Sequence, residues 1–271
     1  EDVNLYAVVT DDNGNLIVDH SLKFYIDELA TSYGTVYNST SGRYERSVAI
    51  TTPGTYTVTV TSDSNNLTIT TGTIVVIKKG SFTDLQYQLD NLEGDTFELP
   101  YDFTYNETVD SALVNGIKIG PGITIDGKGY TISGNNQARV FNITSNLITL
   151  SNMTIRDGKA DKGAGLYINK GEIFIALNVT FTNNTATYRG GAIYTEGLVD
   201  IDGCVIDSND ITYRAKNDDN GGAAIYNNGG IVYINNTAVT NNLKDIVIRD
   251  GNDGHLINAA IVNLDGGVII N

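Results

Sequence analysis

The stretch "RGGAIYTEGLVDIDGC", residues 189–204, holds a glycine pair, a short apolar run and an alternation of apolar and polar residues. Related text precedes it as "KGAGLYINKGEIFIALN" from 162 and follows it as "GGAAIYNNGGIVYINN" from 221. Self-similarity at a short period is typical of repeat architectures, in which each unit buries its apolar face against its neighbours. This repeat therefore decides the fold.

Four segments align without gaps and carry apolar residues at the same alternate positions. They are "LITLSNMTIRDG" from 147, "IFIALNVTFTNN" from 173, "LVDIDGCVIDSN" from 198 and "IVYINNTAVTNN" from 231, with starts 26, 25 and 33 residues apart. At one of these positions stand Ile148, Phe174, Val199 and Val232. A coil that returns above itself brings such residues into one buried column, because each strand then pairs with its copy one turn later, about 4.8 Å away.

The repeat therefore predicts a parallel β-helix with three short strands per turn, right-handed like other parallel connections. Phe97 with Leu99 and Ile123 with Ile125 fit the first-strand position as well. On this basis we expect about seven coils. Their starts are near residues 97, 123, 148, 174, 199, 232 and 268.

The text before residue 79 has a different organisation. Residues 1–78 alternate apolar and polar residues in short runs separated by turn signals such as "DDNGN", which predicts an antiparallel β-sandwich. Residues 79–271 form the β-helix domain, which opens with "SFTDLQYQLDN". Apolar residues at helical spacing behind Ser81 and Asp84 predict an amphipathic helix over 82–90 that covers the first coil.

Composition excludes several classes of function. The chain of 271 residues has a formal charge of −15 and a pI near 4.3, which argues against nucleic acid as a partner. No apolar run approaches the roughly 20 residues of a membrane-spanning helix. Cys204 is the one cysteine, which we expect in the core, and no pattern predicts a cofactor. Eight Asn-x-Ser/Thr sequons, more than expected by chance, favour a glycosylated exterior; they begin at Asn38, Asn66, Asn106, Asn142, Asn152, Asn178, Asn183 and Asn235.

Two protein families share motifs with this sequence. "FTNNTATYRGGAIY", from Phe181 to Tyr194, resembles the GGAI/FxxN repeats of chlamydial polymorphic outer-membrane proteins. "GSFTDLQYQLDN", "ITIDGKGYTISG" and "GGAIY" coils after an Ig-like module resemble adhesin-like surface proteins of methanogenic archaea, with a pectate-lyase-like fold. The front segment is similar to Ig-like spacer domains of the invasin and intimin type. The resemblance to the adhesin-like proteins of methanogenic archaea implies secretion, attachment to the cell envelope and an adhesive role, and it brings no catalytic residues.

The loops before the glycine corners provide a candidate ligand-binding face. "KADK", "TATYR" and "ITYRAKNDDN" stand at equivalent positions, and the repeat places Tyr188 over Tyr213 and Arg189 over Arg214. Tyrosine faces and arginine forks bind sugars and acidic groups, although long side chains at such positions also shield loop backbone. The predicted ligand-binding residues are Tyr188, Arg189, Tyr213, Arg214, Lys159, Lys162 and Lys216.

Catalysis by a polysaccharide lyase or glycoside hydrolase is the main alternative, because β-helices also carry these activities. Such chemistry needs converging carboxylates, with Ca²⁺ or as an acid/base pair. The alignment stacks no acidic residue on another in the next turn. Asp200 and Asp202 share one face of a strand, which makes them a candidate ion site or a solvated acidic pair.

From these observations we expect a non-catalytic, extracellular cell-surface adhesin fragment that binds glycans or proteins of another cell. An all-β chain with an Ig-like sandwich as spacer would present the β-helix loops as the contact surface. "GGVIIN" at the end stops in the middle of a repeat, so we expect a longer parent chain. A structural stalk of the cell envelope is the second alternative.

Overall fold

The computed structural model describes residues 2–18, 21–62, 71–212, 221–242, 246–249, 255–264 and 268–270. The chain divides into two compact units, Glu1–Lys78 and Lys79–Asn271. Both units consist mainly of strands, so the all-β class is confirmed.

The first unit contains two antiparallel sheets that share one core. Its strands are β1 (Asp2–Ala7), β2 (Leu22–Ile26), β3 (Thr31–Gly34), β4 (Val36–Asn38), β5 (Arg43–Ala49), β6 (Gly54–Ser62) and β7 (Thr71–Val76). The sheet orders are β1-β5-β4 and β3-β2-β6-β7, and a short 3-10 helix spans Asp27–Leu29. Phe24 and Ile26 of β2 pack with Val48 of β5 and Val58 of β6, because alternate side chains of a strand point to the same face.

The second unit begins with a short helix, has a second short helix after two strands, and continues as strands. Its first elements are α1 (Phe82–Asp90), β8 (Thr96–Glu98), β9 (Phe103–Thr104), α2 (Glu107–Asp110), a 3-10 turn (Ser111–Leu113), β10 (Thr124–Asp126), β11 (Thr131–Ser133) and β12 (Phe141–Ile143). The others are β13 (Ile148–Ser151), β14 (Thr154–Arg156), β15 (Lys159–Lys162), β16 (Leu166–Ile168), β17 (Ile173–Leu177), β18 (Thr180–Thr182), β19 (Thr185–Arg189), β20 (Ile193–Thr195), β21 (Leu198–Asp202), β22 (Val205–Asp207), β23 (Asp210–Ile211), β24 (Ile225–Asn228), β25 (Ile231–Thr240), β26 (Ile246–Arg249), β27 (His255–Leu264) and β28 (Val268–Ile270).

These strands form three parallel sheets that wind into a solenoid. Sheet 1 has the order β8-β10-β13-β17-β21-β25-β22-β18-β14-β11-β9, with β27 beside β25. Sheet 2 has the order β12-β16-β20-β24-β26-β28, and sheet 3 has the order β15-β19-β23. The parallel solenoid is confirmed with about four turns, whereas the count of seven coils is not confirmed.

The predicted buried column is confirmed. Ile148 pairs with Phe174, Phe174 with Val199, and Val199 with Val232 in adjacent strands of sheet 1. All four side chains are at most 1% exposed. The repeat in the sequence is therefore the repeat of the coil.

Two coil starts of the sequence analysis are wrong. Val268 pairs with Ile246 in sheet 2, and the strand that continues the column beyond Val232 is β27, at Leu256. At the other end, Phe97 pairs with Ile125, so it lies two residues away from the predicted register. Both errors arise where the repeated motif is weakest, because short apolar runs fit more than one strand position.

The corners between strands require the left-handed backbone conformation. In the four aligned segments, one corner holds Asn152, Asn178, Gly203 and Asn236, with φ between 46° and 65°. The next corner holds Asp157, Asn183, Ser208 and Asn241, with φ between 53° and 56°. Gly, Asn and Asp tolerate this conformation best, which explains why the chain is rich in these residues.

A buried row of asparagines explains the FxxN part of the motif. The Nδ2 of Asn184 donates to the Oδ1 of Asn209 at 3.0 Å, and the Nδ2 of Asn209 donates to the Oδ1 of Asn242 at 2.9 Å. The same amides also donate to backbone carbonyls, including that of Phe181. Each asparagine thus satisfies buried backbone groups at the second corner.

The glycine pair is required by close backbone approach. Gly190 has φ of 64°, and a Cβ there would clash with the carbonyl oxygen of Ile193. A Cβ on Gly191 would lie 2.6 Å from the carbonyl oxygen of Asp210 in the next turn. Larger residues at this corner would push the turns apart.

Helix α1 occupies the predicted span and packs on the solenoid core. The Oγ of Ser81 accepts a hydrogen bond from the backbone N–H of Asp84 at 3.1 Å, as an N-cap residue does. The Asp84 carboxylate in turn accepts from the backbone N–H of Gly80 at 2.7 Å. Phe82 and Leu85 are fully buried in the same cluster as Phe103 of β9.

Candidate binding face and its cleft

The candidate face lies on sheet 3, at Lys159 and Lys162 of β15 and Tyr188 and Arg189 of β19. The register pairs Lys159 with Thr185 and Lys162 with Arg189, with an irregularity between the two pairs. The opposite side of sheet 3 carries small buried residues, among them Ala186. Lys159 and Tyr188 are exposed and Lys162 and Arg189 are half-exposed, so all four longer side chains reach the outer surface of the coil.

Lys159 and Tyr188 are exposed on this face, Tyr188 to 38%. Lys162 and Arg189 are only half-exposed, because each lies over a tyrosine ring of the following turn. The Nζ of Lys162 is 5.3 Å from the ring centre of Tyr194, and the guanidinium carbon of Arg189 is 5.1 Å from that of Tyr226. Their charges thus face aromatic rings, which attract cations.

The sequence analysis missed the aromatic column beneath these cations. Tyr167, Tyr194 and Tyr226 stack along sheet 2, with ring centres 4.9 Å and 5.6 Å apart. Arg139 completes the row of cations, 5.0 Å from the Tyr167 ring. We call Tyr167, Tyr194 and Tyr226 the tyrosine column. A signal was available, since the "KGAGLY" and "RGGAIY" motifs place a cation before the glycines and a tyrosine after them.

Tyr194 is the best-defined member of the tyrosine column. Its side chain is 1% exposed, and its hydroxyl donates to the Glu196 carboxylate at 2.8 Å. Burial raises the pKa of Tyr194, and the hydrogen bond and negative charge of Glu196 raise this pKa further. The side-chain amide of Asn228 also donates to Glu196, at 3.0 Å. The column is therefore a packed and hydrogen-bonded part of the coil wall.

A cleft of about 420 Å³ borders the exposed part of the face. This volume lies within the range of small-ligand sites. Its lining includes Tyr105, Glu107, Gln137, Lys159, Asp161 and Thr187. With Asn136, which also lines it, the cleft combines one cation, two carboxylates, two amides and two hydroxyls. Hydroxyl-rich or charged ligands can use this set of donors and acceptors.

Tyr105 forms part of the apolar boundary of this cleft. It is 3% exposed and packs edge-on against Phe82, with ring centres 5.5 Å apart. Burial raises the pKa of Tyr105, followed by the negative charges of Asp110 and Glu107. Sequence analysis did not find this residue or Glu107, because both precede the segments that the repeat aligns.

The other predicted site residues have the following placements. Tyr213, Arg214 and Lys216 lie outside the described residues, and so does the predicted stacking of Tyr188 on Tyr213 and of Arg189 on Arg214. Ligand binding by the candidate face stays a prediction.

Asp200 and Asp202 lie on the outer side of β21. Asp202 accepts a hydrogen bond from the Nδ2 of Asn236 at 2.8 Å. One oxygen of Asp200 is buried and accepts no hydrogen bond from the described residues. Neighbouring strands place Ile175 and Tyr233 beside Asp200, so no acidic residue stacks on it. Within the described ranges, no group of three or more His, Cys, Asp or Glu side chains is arranged to hold a metal ion.

One protein-family model matches part of the solenoid. The Chlamydia polymorphic membrane protein repeat matches residues 178–196, which run from the corner before β18 through β19 and β20. The match thus covers most of one turn of the coil, without strand β17, and it includes the FxxN and GGAI motifs. No curated protein and no solved structure matches the chain. Among the described residues, no helix has both the length and the apolar character needed to span a membrane.

Proposed function

We propose that this chain is an extracellular, non-catalytic adhesin fragment that attaches to glycans or proteins on another cell. The cleft beside Lys159 is the observation on which this proposal rests, because it provides a concave, polar site next to the exposed Tyr188. The repeat at 178–196 supports a surface location, since the matching family consists of polymorphic membrane proteins.

The residues of the candidate face fall into two groups with different proposed roles. Lys159 is exposed and lines the cleft, and the exposed Tyr188 directly follows Thr187, which also lines it, so we assign ligand contact to Lys159 and Tyr188. Lys162 and Arg189 lie over the tyrosine column, so we assign them to stabilising the wall of the coil. Tyr213, Arg214 and Lys216 stay in the proposal as ligand contacts on the strength of the repeat alone.

A glycan array combined with cell-binding measurements tests this assignment. The double variant Lys159→Ala/Tyr188→Ala should lose at least about tenfold in affinity, because exposed aromatic residues next to a cleft contribute strongly to binding. Its melting temperature should stay unchanged. The matched control is Lys170→Ala/Tyr130→Ala, since Lys170 is exposed and Tyr130 is 38% exposed, like Tyr188. Equal binding by both double variants contradicts the assignment.

A carbohydrate-active enzyme is the alternative that one specific observation favours. Glu107 and Asp161 line the same cleft, and glycoside hydrolysis uses two carboxyl groups. Incubation of the chain with polysaccharides, followed by assays for reducing ends and for unsaturated sugars, separates this activity from binding. A structural stalk of the cell envelope would give no signal in either assay.

The finer architecture is part of the same proposal. We assign the first unit to the Ig-like spacer domains, a view supported by its two antiparallel sheets and by Tyr56, whose hydroxyl donates to the Thr52 carbonyl at 2.7 Å like a tyrosine corner. We assign α1 as the cap of a right-handed coil. The motifs shared with adhesin-like proteins of methanogenic archaea support an origin in that group.

A further inference from the structure

We infer that a groove beside α1 is a second binding site, which takes a single neutral sugar unit. The groove has a volume of about 730 Å³ and lies between α1, the segment at 112–120 and the end of β12. It shares no lining residue with the cleft at Lys159, so this inference stands independently of the proposed adhesive face.

Asn142 is the central residue of the groove. It occupies the sheet 2 position that Tyr167 fills in the next turn, so the tyrosine column ends here in an amide. The Oδ1 of Asn142 is buried and accepts no hydrogen bond from the described residues. A buried acceptor without a donor is unfavourable. Asn142 as a whole is only half-buried, so a small rotation of its side chain would let a hydroxyl group of a ligand satisfy this oxygen.

The walls of the groove are held in place by hydrogen bonds. The Arg139 guanidinium donates to the carbonyl oxygens of Asn115 and Gly163, both at 3.0 Å. Gln86 of α1 accepts from the backbone N–H of Lys118 at 2.9 Å and donates to the Lys118 carbonyl at 3.0 Å. These bonds join α1 to the 112–120 segment, so the groove is preformed.

Other polar groups around Asn142 remain available. The side chains of Asn115, Lys118, Thr144 and Ser145 make no hydrogen bond or ion pair with any residue that the structure describes. They offer amide, ammonium and hydroxyl groups around a buried acceptor. A sugar ring carries several hydroxyl groups, each of which donates and accepts, and so fits this mixture.

The charges of the groove favour a neutral sugar. Arg139 uses its guanidinium on backbone carbonyls, and the Asp90 carboxylate lies in the same groove as the Lys118 ammonium. The Asp90 carboxylate offsets the Lys118 ammonium, and all three nitrogens of the Arg139 guanidinium already donate to backbone carbonyls, which weakens the attraction for a carboxylate or a phosphate. We therefore assign a hexose or an N-acetylhexosamine rather than a uronic acid.

Nuclear magnetic resonance titration of the full chain tests this site. Galactose, N-acetylglucosamine and glucuronic acid are the probes, with glycerol as the control for unspecific polyol binding. At least one neutral sugar should cause saturable shifts of the Asn142 side-chain amide and of the Asn115 and Lys118 backbone amides. Glycerol should cause only small linear shifts. The inference is overturned if no neutral sugar gives saturable shifts, which means that water alone satisfies Asn142, or if only glucuronic acid does.

Variants separate binding from folding. Asn142→Leu should weaken sugar binding about tenfold and leave the melting temperature equal or higher, because it removes an unsatisfied buried acceptor. Lys118→Ala should weaken binding, whereas Lys170→Ala, an exposed lysine outside the groove, should not. Binding unchanged in both Asn142→Leu and Lys118→Ala also overturns the inference. The Lys159→Ala/Tyr188→Ala variant should bind the probe normally, so the two sites can fail separately.

Discussion

Strand β2 of the first unit and strand β17 of the solenoid both bury alternate side chains, but they acquire their neighbours differently. Phe24 of β2 packs against residues of unrelated sequence on β5 and β6. Phe174 of β17 packs between Ile148 and Val199, which hold the same place in neighbouring copies of one motif. In the solenoid, aligning the sequence with itself therefore identifies which residues are neighbours. In the first unit, the neighbouring strands have unrelated sequences, so self-alignment does not identify them.

The largest expected effect tests whether the column is the source of solenoid stability. Phe174→Ala should cost about 3–5 kcal/mol of unfolding free energy in the second unit, because it leaves a cavity between two turns. The control Ile175→Ala, on the half-exposed outer side of the same strand, should cost about 1 kcal/mol or less. Urea unfolding with hydrogen exchange resolved by unit provides the measurement. Similar losses for both variants contradict the column.

A smaller effect should come from the asparagine row, which has no counterpart among the described core residues of the first unit. Asn209→Ala removes an amide that donates to the Phe181 carbonyl and accepts from the backbone N–H of Asn184. We expect a loss of about 2–3 kcal/mol from unsatisfied buried groups. Asn183→Gly is the control, because glycine tolerates its φ of 54°. Urea unfolding measures the loss of unfolding free energy in both variants. An Asn209→Ala variant as stable as the parent chain would show that the solenoid does not need the asparagine row.

The smallest expected effect is a loss of stability at alkaline pH. This loss should occur in the solenoid and not in the first unit. Burial raises the pKa of the Cys204 thiol from 9.0 to about 11 and also raises the pKa of Tyr194. Among the described residues, every group whose pKa is raised with burial as the largest cause lies in the solenoid. The folded solenoid therefore binds more protons than the unfolded chain above pH 9. Its stability is fully present below pH 9 and is lost as the pH rises towards 11.

Thermal unfolding at pH 8 and pH 10.5, followed separately for each unit, measures this loss. The Cys204→Ala variant should show a smaller alkaline loss than the parent chain. In the first unit, the pKa values of Asp11, Glu28 and Glu45 are lowered, mainly by hydrogen bonds, so their contribution is lost on the acidic side instead. An equal alkaline loss in both units would contradict the assignment to buried solenoid groups.

The sequence predicts the structure well where the motif is repeated and poorly where a segment occurs only once. The column at Phe174 was predictable, because four copies of one pattern agree on it. Phe97 was not, because a single short run near the first turn fits two registers. The sequence analysis read Lys162 and Arg189 as loop residues, whereas they end strands β15 and β19. The direction of their side chains depends on the left-handed glycine corner that follows, and no alternation rule describes that corner.

The candidate cleft shows the limit of reasoning from the repeat. Lys159 belongs to the repeat, but Tyr105 and Glu107 come from the segment before it. Their proximity depends on how the chain enters the coil, which is encoded once and has no second copy for comparison. The sequence did not predict the groove at Asn142 for the same reason, because α1 and residues 112–120, which form its wall, lie before the aligned repeats.

The sequon excess also has a structural cause. Asn152, Asn178 and Asn183 occupy left-handed corners, and the threonine two residues later begins β14, β18 and β19 in turn. Asparagine suits the corner and β-branched threonine suits the strand, so the coil produces the sequon pattern without any glycan. Glycosylation of these sites stays a prediction that the sequon count alone does not support.

The stacked columns also bear on how such a chain changes its length over evolution. Because every period places an apolar residue in the same column, duplication or deletion of one complete period of 25 or 26 residues keeps the buried columns continuous. A period interrupted by extra residues, such as the one of 33, leaves the column at Val199 and Val232 in register. The coil can thus vary in reach and in its outward loops while its interior stays constant.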